Sequence, residues 1–559
     1  MDRNLFLAFG LSFAVLLFWT VFVDPPAPPV EAPTVAEAEA PDALEPRAEA
    51  AALPELLPGS LASLDPPPAR LGAAAAEETP ARRIVFETPL FRAELDTRGA
   101  SISSWELFDY RTPLREGGAP IQLVTGVPPF AAGLSTRFNE LGLGDLSQVV
   151  FEVVREDPLN TIFRYTRNGV TVLKEYRFDA ERYAFELLVS VENQSEAAVD
   201  PRFAVTWPVA LAEGNDFREQ SVAAFVDGSL EFTLVNTLGK GNFFSSGEQV
   251  TLFNEGAVEW TGMQSPYFVA AVLPEEPTQA SARFVAIEPG VSGVAELYFD
   301  PLRLPPGQSA TRRFQVYVGP KEEPRLSAVG PALLGSIDLG WSWVKPLTRF
   351  FHWLLAALHV FIPNYGLTII VLTIMVRLVT APLTTKQMKS MERMRALQPK
   401  LTELKEKHAD DKQKQSEAMM SLYKQEGVNP LGGCFPMLLQ LPVFIGLFYS
   451  LRSSIQLRQA PFFGWIDDLS APEALFEIPG LGVPLRVLPL VMGASMLVQQ
   501  KITPTKGMDP AQQKMMTIVM PIMMTVLFYQ FPSGLVLYWM VSNVLAISHQ
   551  LWIGRHLRR

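Results

Sequence analysis

One residue in the apolar half of this chain has a type and position that could do chemistry: Arg377, inside "GLTIIVLTIMVRLVTAPLTTKQ" (residues 366–387). A charge at the centre of a membrane helix costs about 2.5–3.5 kcal/mol on insertion scales, so it needs a reason to be there. On a helix, Thr373 (i−4), Thr380 (i+3) and Thr384 (i+7) share its face, opposite Leu372, Val376, Val379 and Leu383. The arginine thus belongs to a polar stripe. Snorkelling is one account of it. With the interface near Thr384, Arg377 lies ~10 Å deep, within partial reach of an extended side chain. The usual rescue, a carboxylate, is missing: the apolar spans after residue 362 contain no Asp or Glu. That argues against an ion pair within the bilayer and against an acidic proton relay. Water, lipid phosphate, a glutamate from a neighbouring loop or a transient ligand remain as partners. A water-filled groove open to the cytoplasm satisfies most of these.

Other polar groups in the spans are modest: Gln440, Ser495, Gln499, Thr517, Ser542 and Asn543. Singly, such residues more often join helices than carry function. Tyr538 and Trp539 add an aromatic pair, and Phe444, Met520, Met523 and Met524 an apolar surface. Methionine is flexible and polarisable, suited to surfaces that accept varied apolar partners. A groove polar at its cytoplasmic end and flanked by such a surface could hold a polypeptide. Its charge draws in a hydrophilic segment while an apolar one slides into lipid.

Covalent chemistry finds no support. There is no phosphate-binding G-x-x-x-x-G-K-[ST], no strand-anchored G-x-G-x-x-G and no H-E-x-x-H, so no nucleotide, metal or other cofactor is expected, and no direct nucleic-acid site. "GLGD" (142–145) imitates an intramembrane aspartyl-protease motif but has no hydrophobic span around it, and "FPSG" lacks a basic partner in a neighbouring span. The single cysteine, Cys434, excludes an internal disulfide.

The elements that must position Arg377 differ sharply from the rest of the chain. Residues 340–559 carry 22 Lys+Arg against 12 Asp+Glu and 16 of the 18 methionines, whereas the preceding part is net acidic. Residues 5–23 are apolar and uncharged, long enough to cross a ~30 Å hydrocarbon core, and end without a small-x-small cleavage site, which reads as an uncleaved anchor (1–23). Residues 24–81, rich in Pro, Ala and Glu, read as an extended, disordered linker. From 82 to 330, runs such as "RIVFETPLFRAELDT", "VTVLKEYRFDAERYAFELLVSVEN" and "RFAVTWPVAL" alternate apolar and polar residues between turn signals, the pattern of an all-β sandwich. Residues 331–362 include an aromatic segment carrying Lys345, Arg349 and His352, expected to lie as a helix at the membrane interface. The membrane core (363–559) holds spans at about 363–383, 434–451, 484–500, 515–531 and 533–553, six with the anchor. Between the first two of these, 384–427 reads as a cytoplasmic helical hairpin turning near residues 408–411, with Met388, Met391, Met394, Leu401 and Leu404 on one arm and Met419, Met420, Leu422 and Tyr423 on the other. Lys and Arg concentrate in 384–433, in the loop after the fourth span and in the C-terminal tail. The positive-inside rule puts these and both termini in the cytoplasm, and the β-domain outside it.

"VNPLGGCFPMLLQLPVFIGLFYSL" (428–451), "LRQAPFFGWIDDLS" (457–470), "DPAQQKMMTIVMPIMM" (509–524) and "FPSGLVLYWMVSNVLAI" (531–547) resemble YidC-type membrane protein insertases, with the order and spacing of that family. The resemblance covers 340–559, and the anchor, linker and β-domain resemble the family's Gram-negative form. It implies a periplasmic β-supersandwich, and a five-helix membrane core around a hydrophilic groove in the inner membrane. It further implies an insertase and chaperone without nucleotide hydrolysis of its own. Arg377 and Thr373 fall on the family's groove arginine and substrate-contacting threonine. Trp539 falls where a contact tyrosine stands, which keeps an aromatic surface and loses a hydroxyl. The implied partners are nascent membrane proteins, membrane lipids, the Sec translocon and the ribosome or targeting machinery. A small-solute transporter or channel is the competing reading of a polar groove, though the sequence carries no convincing internal repeat of the kind such folds use.

Overall fold

The computed structural model describes residues 80–112, 118–128, 130–211, 219–240, 251–254, 256–407, 411–426, 435–478, 483–502 and 514–557. The expected anchor and nearly all of the linker lie outside the described residues. Strand-rich sequence folds into three antiparallel sheets. The largest has nine strands, with Gln308–Pro320 and Ala184–Asn193 at its centre. A four-stranded sheet opens the domain with Arg83–Glu87, Phe91–Asp96, Ser101–Arg111 and Pro120–Gln122. Another joins Thr251–Asn254, Ala280–Glu288, Ser292–Phe299 and Ala204–Ala210. One apolar cluster runs through all three, with Phe91 stacked on Trp105 at 4.2 Å and Trp105 on Phe185 at 5.4 Å.

Alternation marks the strands that turn one face to the core: Phe91–Asp96, an inner strand of the first sheet, buries every second residue, as does Ala184–Asn193 in the largest sheet along most of its length. It fails where both faces are covered, at an edge as well as inside a sheet: Ala204–Ala210 and Phe268–Pro274 are buried at every position. The protease-like "GLGD" is structural. Asp145 pairs with the buried Arg137 at 2.9 Å and accepts from Ser147.

After Pro320 the chain turns to helix. We label the helices α1 (Lys345–Phe361), α2 (Tyr365–Ala396), α3 (Gln398–Lys407), α4 (Lys412–Gln425), α5 (Phe435–Ser453), α6 (Val487–Ile502), α7 (Met520–Phe528, entered through a π-helical turn at Met515–Val519) and α8 (Ser533–Leu557). Tyr365–Ser390 and Ser533–Ile553 are long and apolar enough to cross a membrane, and Leu441–Ser453, Val487–Ile502 and Thr517–Phe528 are shorter apolar helices. These five overlap the five stretches expected as spans after residue 362, and two of them are long enough to cross.

α1 buries Phe351 and Leu355 but leaves Phe350, Trp353, Val360 and Phe361 exposed, the last at 83%. A helix with an aromatic outer face is suited to an apolar medium rather than to water. α2 does not stop at the expected end of its span but continues unbroken to Ala396, with Pro382 inside it. The hairpin arms do cover each other: Leu397 and Leu401 are buried against Met419, Leu422 and Tyr423. Leu397 joins the expected Leu401 in this contact. Asp411 caps α4 by accepting from the backbone N–H of Gln413 and Lys414.

Candidate substrate groove

Arg377 points from α2 to α8. Its Nε and Nη2 both donate to Ser542 Oγ, at 2.9 and 2.5 Å. Tyr538, one turn before Ser542, is buried beside this contact. Among the described residues no carboxylate lies within 4.0 Å of the guanidinium, as the acid-free spans require. A guanidinium carries five N–H donors, so one hydroxyl cannot satisfy it. The arginine is neither fully buried nor fully exposed. Among the described residues it is a cation held by one neutral side chain, with donor capacity left over.

The threonine stripe divides. Thr373 is fully buried, and its hydroxyl donates back to the Ile369 carbonyl at 2.6 Å. Thr380 and Thr384 are half-buried and donate to the carbonyls of Val376 and Thr380, at 2.9 and 3.1 Å. All three satisfy their donors within α2, the usual solution for Ser/Thr in an apolar helix. Each oxygen keeps a lone pair. At the next residue, Thr385 Oγ1 lies 3.3 Å from His549 Nε2 of α8. Sequence reasoning missed this pair; its signal was a histidine in the last span, seven residues beyond Ser542 on a compatible face.

The aromatic and methionine residues line a neighbouring wall rather than the Arg377 pocket itself. Trp539 meets Phe444 of α5 edge-on at 4.8 Å and Phe528 of α7 at 5.0 Å. Met524 is buried, and Met520 and Met523 pack partly exposed against the same cluster. Gln440 lies on α5, but its side chain is outside the described set. Ser495 and Asn543 behave as helix glue: Asn543 Nδ2 donates to Ser495 Oγ at 3.1 Å, tying α8 to α6. At Gly493 of α6 a Cβ would lie 2.0 Å from Thr525 Oγ1 of α7, so only glycine permits this approach.

Three arginines that the sequence reading left unassigned join the helices to the β-domain or to one another. Arg452, at the end of α5, pairs with Glu219 at 2.6 Å and approaches Asp338 at 3.9 Å. Arg458 donates to the Arg111 carbonyl at 2.6 Å and lies over the Phe268 ring. Between them Ile455 is buried in the β-domain core. Arg486 donates to the Tyr529 carbonyl. Among the described residues no group of His, Cys, Asp and Glu could hold a metal ion.

Two family descriptions match the chain in tandem: "YidC periplasmic domain" over residues 83–354 and "60Kd inner membrane protein" over 357–559. The chain is 32% identical to a protein of Syntrophus aciditrophicus (strain SB) named "Membrane protein insertase YidC", over 99% of this chain and all of that one. It is 34% identical to a protein of the same name from Methylobacillus flagellatus, over 100% of this chain and 98% of the other.

Proposed function

We propose, from the premise that this chain belongs to the YidC family of membrane protein insertases, that the pocket between α2 and α8 receives the hydrophilic flank of a client while the apolar client segment slides along the aromatic and methionine wall. Membership makes the chain an inner-membrane insertase with a periplasmic β-domain, whose work is partitioning rather than covalent catalysis. The single observation that carries the groove reading is the Arg377 guanidinium: among the described residues it is held by one hydroxyl and no carboxylate, with donors to spare. Such a group favours water and anionic or carbonyl-rich chain at a depth where lipid offers neither. It lowers the barrier for a polar segment to enter the bilayer without binding it permanently.

The residues act in two sets. Arg377, Ser542, Tyr538, Thr380 and Thr373 form the polar side, to which the sequence also assigns Gln440. Phe444, Trp539, Met520, Met523 and Met524 form the apolar side. In this reading α2, α5, α6, α7 with its π-helical entry, and α8 are membrane spans, joined by an N-terminal anchor to make six, with both termini cytoplasmic. The β-domain (82–330) is a periplasmic supersandwich, 331–362 is interfacial, and the hairpin 384–427 meets clients in the cytoplasm. Nascent membrane proteins are the clients, and the Sec translocon and ribosome or targeting machinery the proposed partners.

Reconstituted insertion with Arg377→Ala tests the mechanism. The expected result is a loss of roughly tenfold or more, ~1.4 kcal/mol of barrier, for clients that carry a polar flank. Arg377→Lys retains much of the activity if charge matters more than the guanidinium fork. Unchanged insertion of every client by Arg377→Ala removes Arg377 from the mechanism.

A further inference from the structure

The segment between α5 and α6 ends in a small hairpin, Phe476–Ile478 paired with Val483–Leu485. Its register places Phe476 opposite Leu485 and Ile478 opposite Val483, so one face is wholly apolar, while Glu477 and Pro484 stand on the other. Leu475, Phe476 and Val483 are each exposed by more than two fifths of their surface. A two-stranded hairpin is marginal in water by itself. An uncovered apolar face on one requires a partner phase.

The base of the hairpin is fixed. The Tyr529 hydroxyl donates to the Pro484 carbonyl, and Arg486 donates to the Tyr529 carbonyl while lying over its ring. Glu473 accepts from the Leu488 N–H and from Trp465 Nε1, both at 2.7 Å, so the first turn of α6 is held as well. These contacts place the hairpin at the ends of α6 and α7. That end is the β-domain's side, since the C-terminus of α5 bonds Glu219 of the β-domain and the same loop meets the start of α2 through Asn364 and the Pro461 carbonyl. The outward aromatic face of α1 stands at this end too.

We propose that this hairpin is a lipid-seated foot whose apolar face enters the headgroup–acyl boundary of the periplasmic leaflet. The occupant is lipid because the hairpin is anchored on both sides to apolar helix ends. Its level is bounded by Trp, Tyr and Arg, the side chains that gather at membrane interfaces. The exposed face continues that belt rather than forming an isolated patch. Together with α1 it gives the helical region two separate footings on one leaflet, which fix its depth and resist tilt when a client pushes between the helices. The inference rests on the membrane placement of α6, α7 and α8 proposed above.

The test uses full-length protein in phosphatidylethanolamine–phosphatidylglycerol vesicles, with Cys434→Ser as background and single spin labels introduced by Phe476→Cys, Val483→Cys, Val544→Cys (outward on α8) and Phe232→Cys (outward on the β-domain). Power saturation with oxygen and with a nickel chelate reads depth. An oxygen-to-nickel accessibility ratio several-fold higher at 476 and 483 than at 232, and below that at 544, is the expected result. Values at 476 and 483 equal to that at 232, with 544 deep, overturn the foot and leave the membrane placement intact. Exclusion of both reagents at 476 and 483 shows a protein partner or second copy on the face and overturns it as well. An aqueous value at 544 overturns the membrane placement, and the foot with it.

Discussion

The cations enclosed by the two halves of this molecule show how differently each treats charge. Lys174 in the β-domain is fully buried, and its ammonium group donates to the carbonyls of Leu134 and Gly99 at 2.7 and 3.2 Å. Lys321, at the exit of the same domain, donates to Gln264 Oε1 and the Ser336 carbonyl at 2.9 and 2.7 Å. Both sit in sites that close around them and fasten segments together. Arg377 has one hydroxyl and no second partner among the described residues. The β-domain uses its cations as fasteners, whereas the helical region leaves its cation available. Availability inside an apolar region is what the proposed groove requires, and what a structural core avoids.

The comparison can be broken most forcefully by exchanging deletions. Lys174→Ala orphans two buried carbonyls, at ~1–3 kcal/mol each, and leaves a cavity besides. The expected outcome is a fall of several degrees in the β-domain's thermal midpoint, read by calorimetry, with insertion by the folded fraction unchanged. Arg377→Ala is expected to do the reverse, losing insertion with little change in the midpoint. Equal destabilisation by the two would erase the distinction.

Titration sharpens it next. Burial lowers the Lys174 and Lys321 amines from the usual 10.5 to about 7. Between pH 7 and 10.5 the unfolded chain holds protons on these amines that the folded domain does not. Stability therefore rises with pH across that window, by at most ~1.4 kcal/mol per pH unit per lysine, and the contribution is flat below it. Denaturant unfolding of the β-domain at pH 7 and pH 9 checks the sign, and Lys174→Met should reduce the slope.

Ser542→Ala is a milder probe. It removes the hydroxyl on which Arg377 rests, worth ~1.5–3 kcal/mol if nothing replaces it, but water can take its place in a wet groove. Insertion should fall less than with Arg377→Ala; an equal fall would mean that the groove is dry. The smallest effect belongs to Arg452→Ala. Its pair with Glu219 is over a third exposed on both sides, so ~0.2–1 kcal/mol is expected. The readout is faster hydrogen exchange over residues 453–459 with little change in insertion.

Much of this was legible in the sequence, for identifiable reasons. Strands with one face on the core announce themselves by alternation, and the apolar helices by composition. Strands such as Phe268–Pro274 did not, because cover on both faces removes the period. Arg377 stood out because charge in an apolar run is costly. Its partner did not, because Ser542 is 165 residues away and serine is unremarkable in a membrane helix. The contact of Trp539 with Phe444 needed three-dimensional packing for the same reason. Arg452 and Arg458 left a signal that went unread: they are positive charges on the side where the positive-inside rule expects few.

That exception bears on the order in which the molecule is made. The surface that receives the end of α5 is composite. Glu219 and Arg111 come from the β-domain, and Asp338 from the segment that leaves it. Every one of them precedes α5 in the chain, so a domain that folds as it is synthesised presents its acidic seat before Arg452 arrives. On the proposed topology α5 then meets a seat already built outside the membrane, and an insertase for other proteins carries part of its own insertion guide in its periplasmic half.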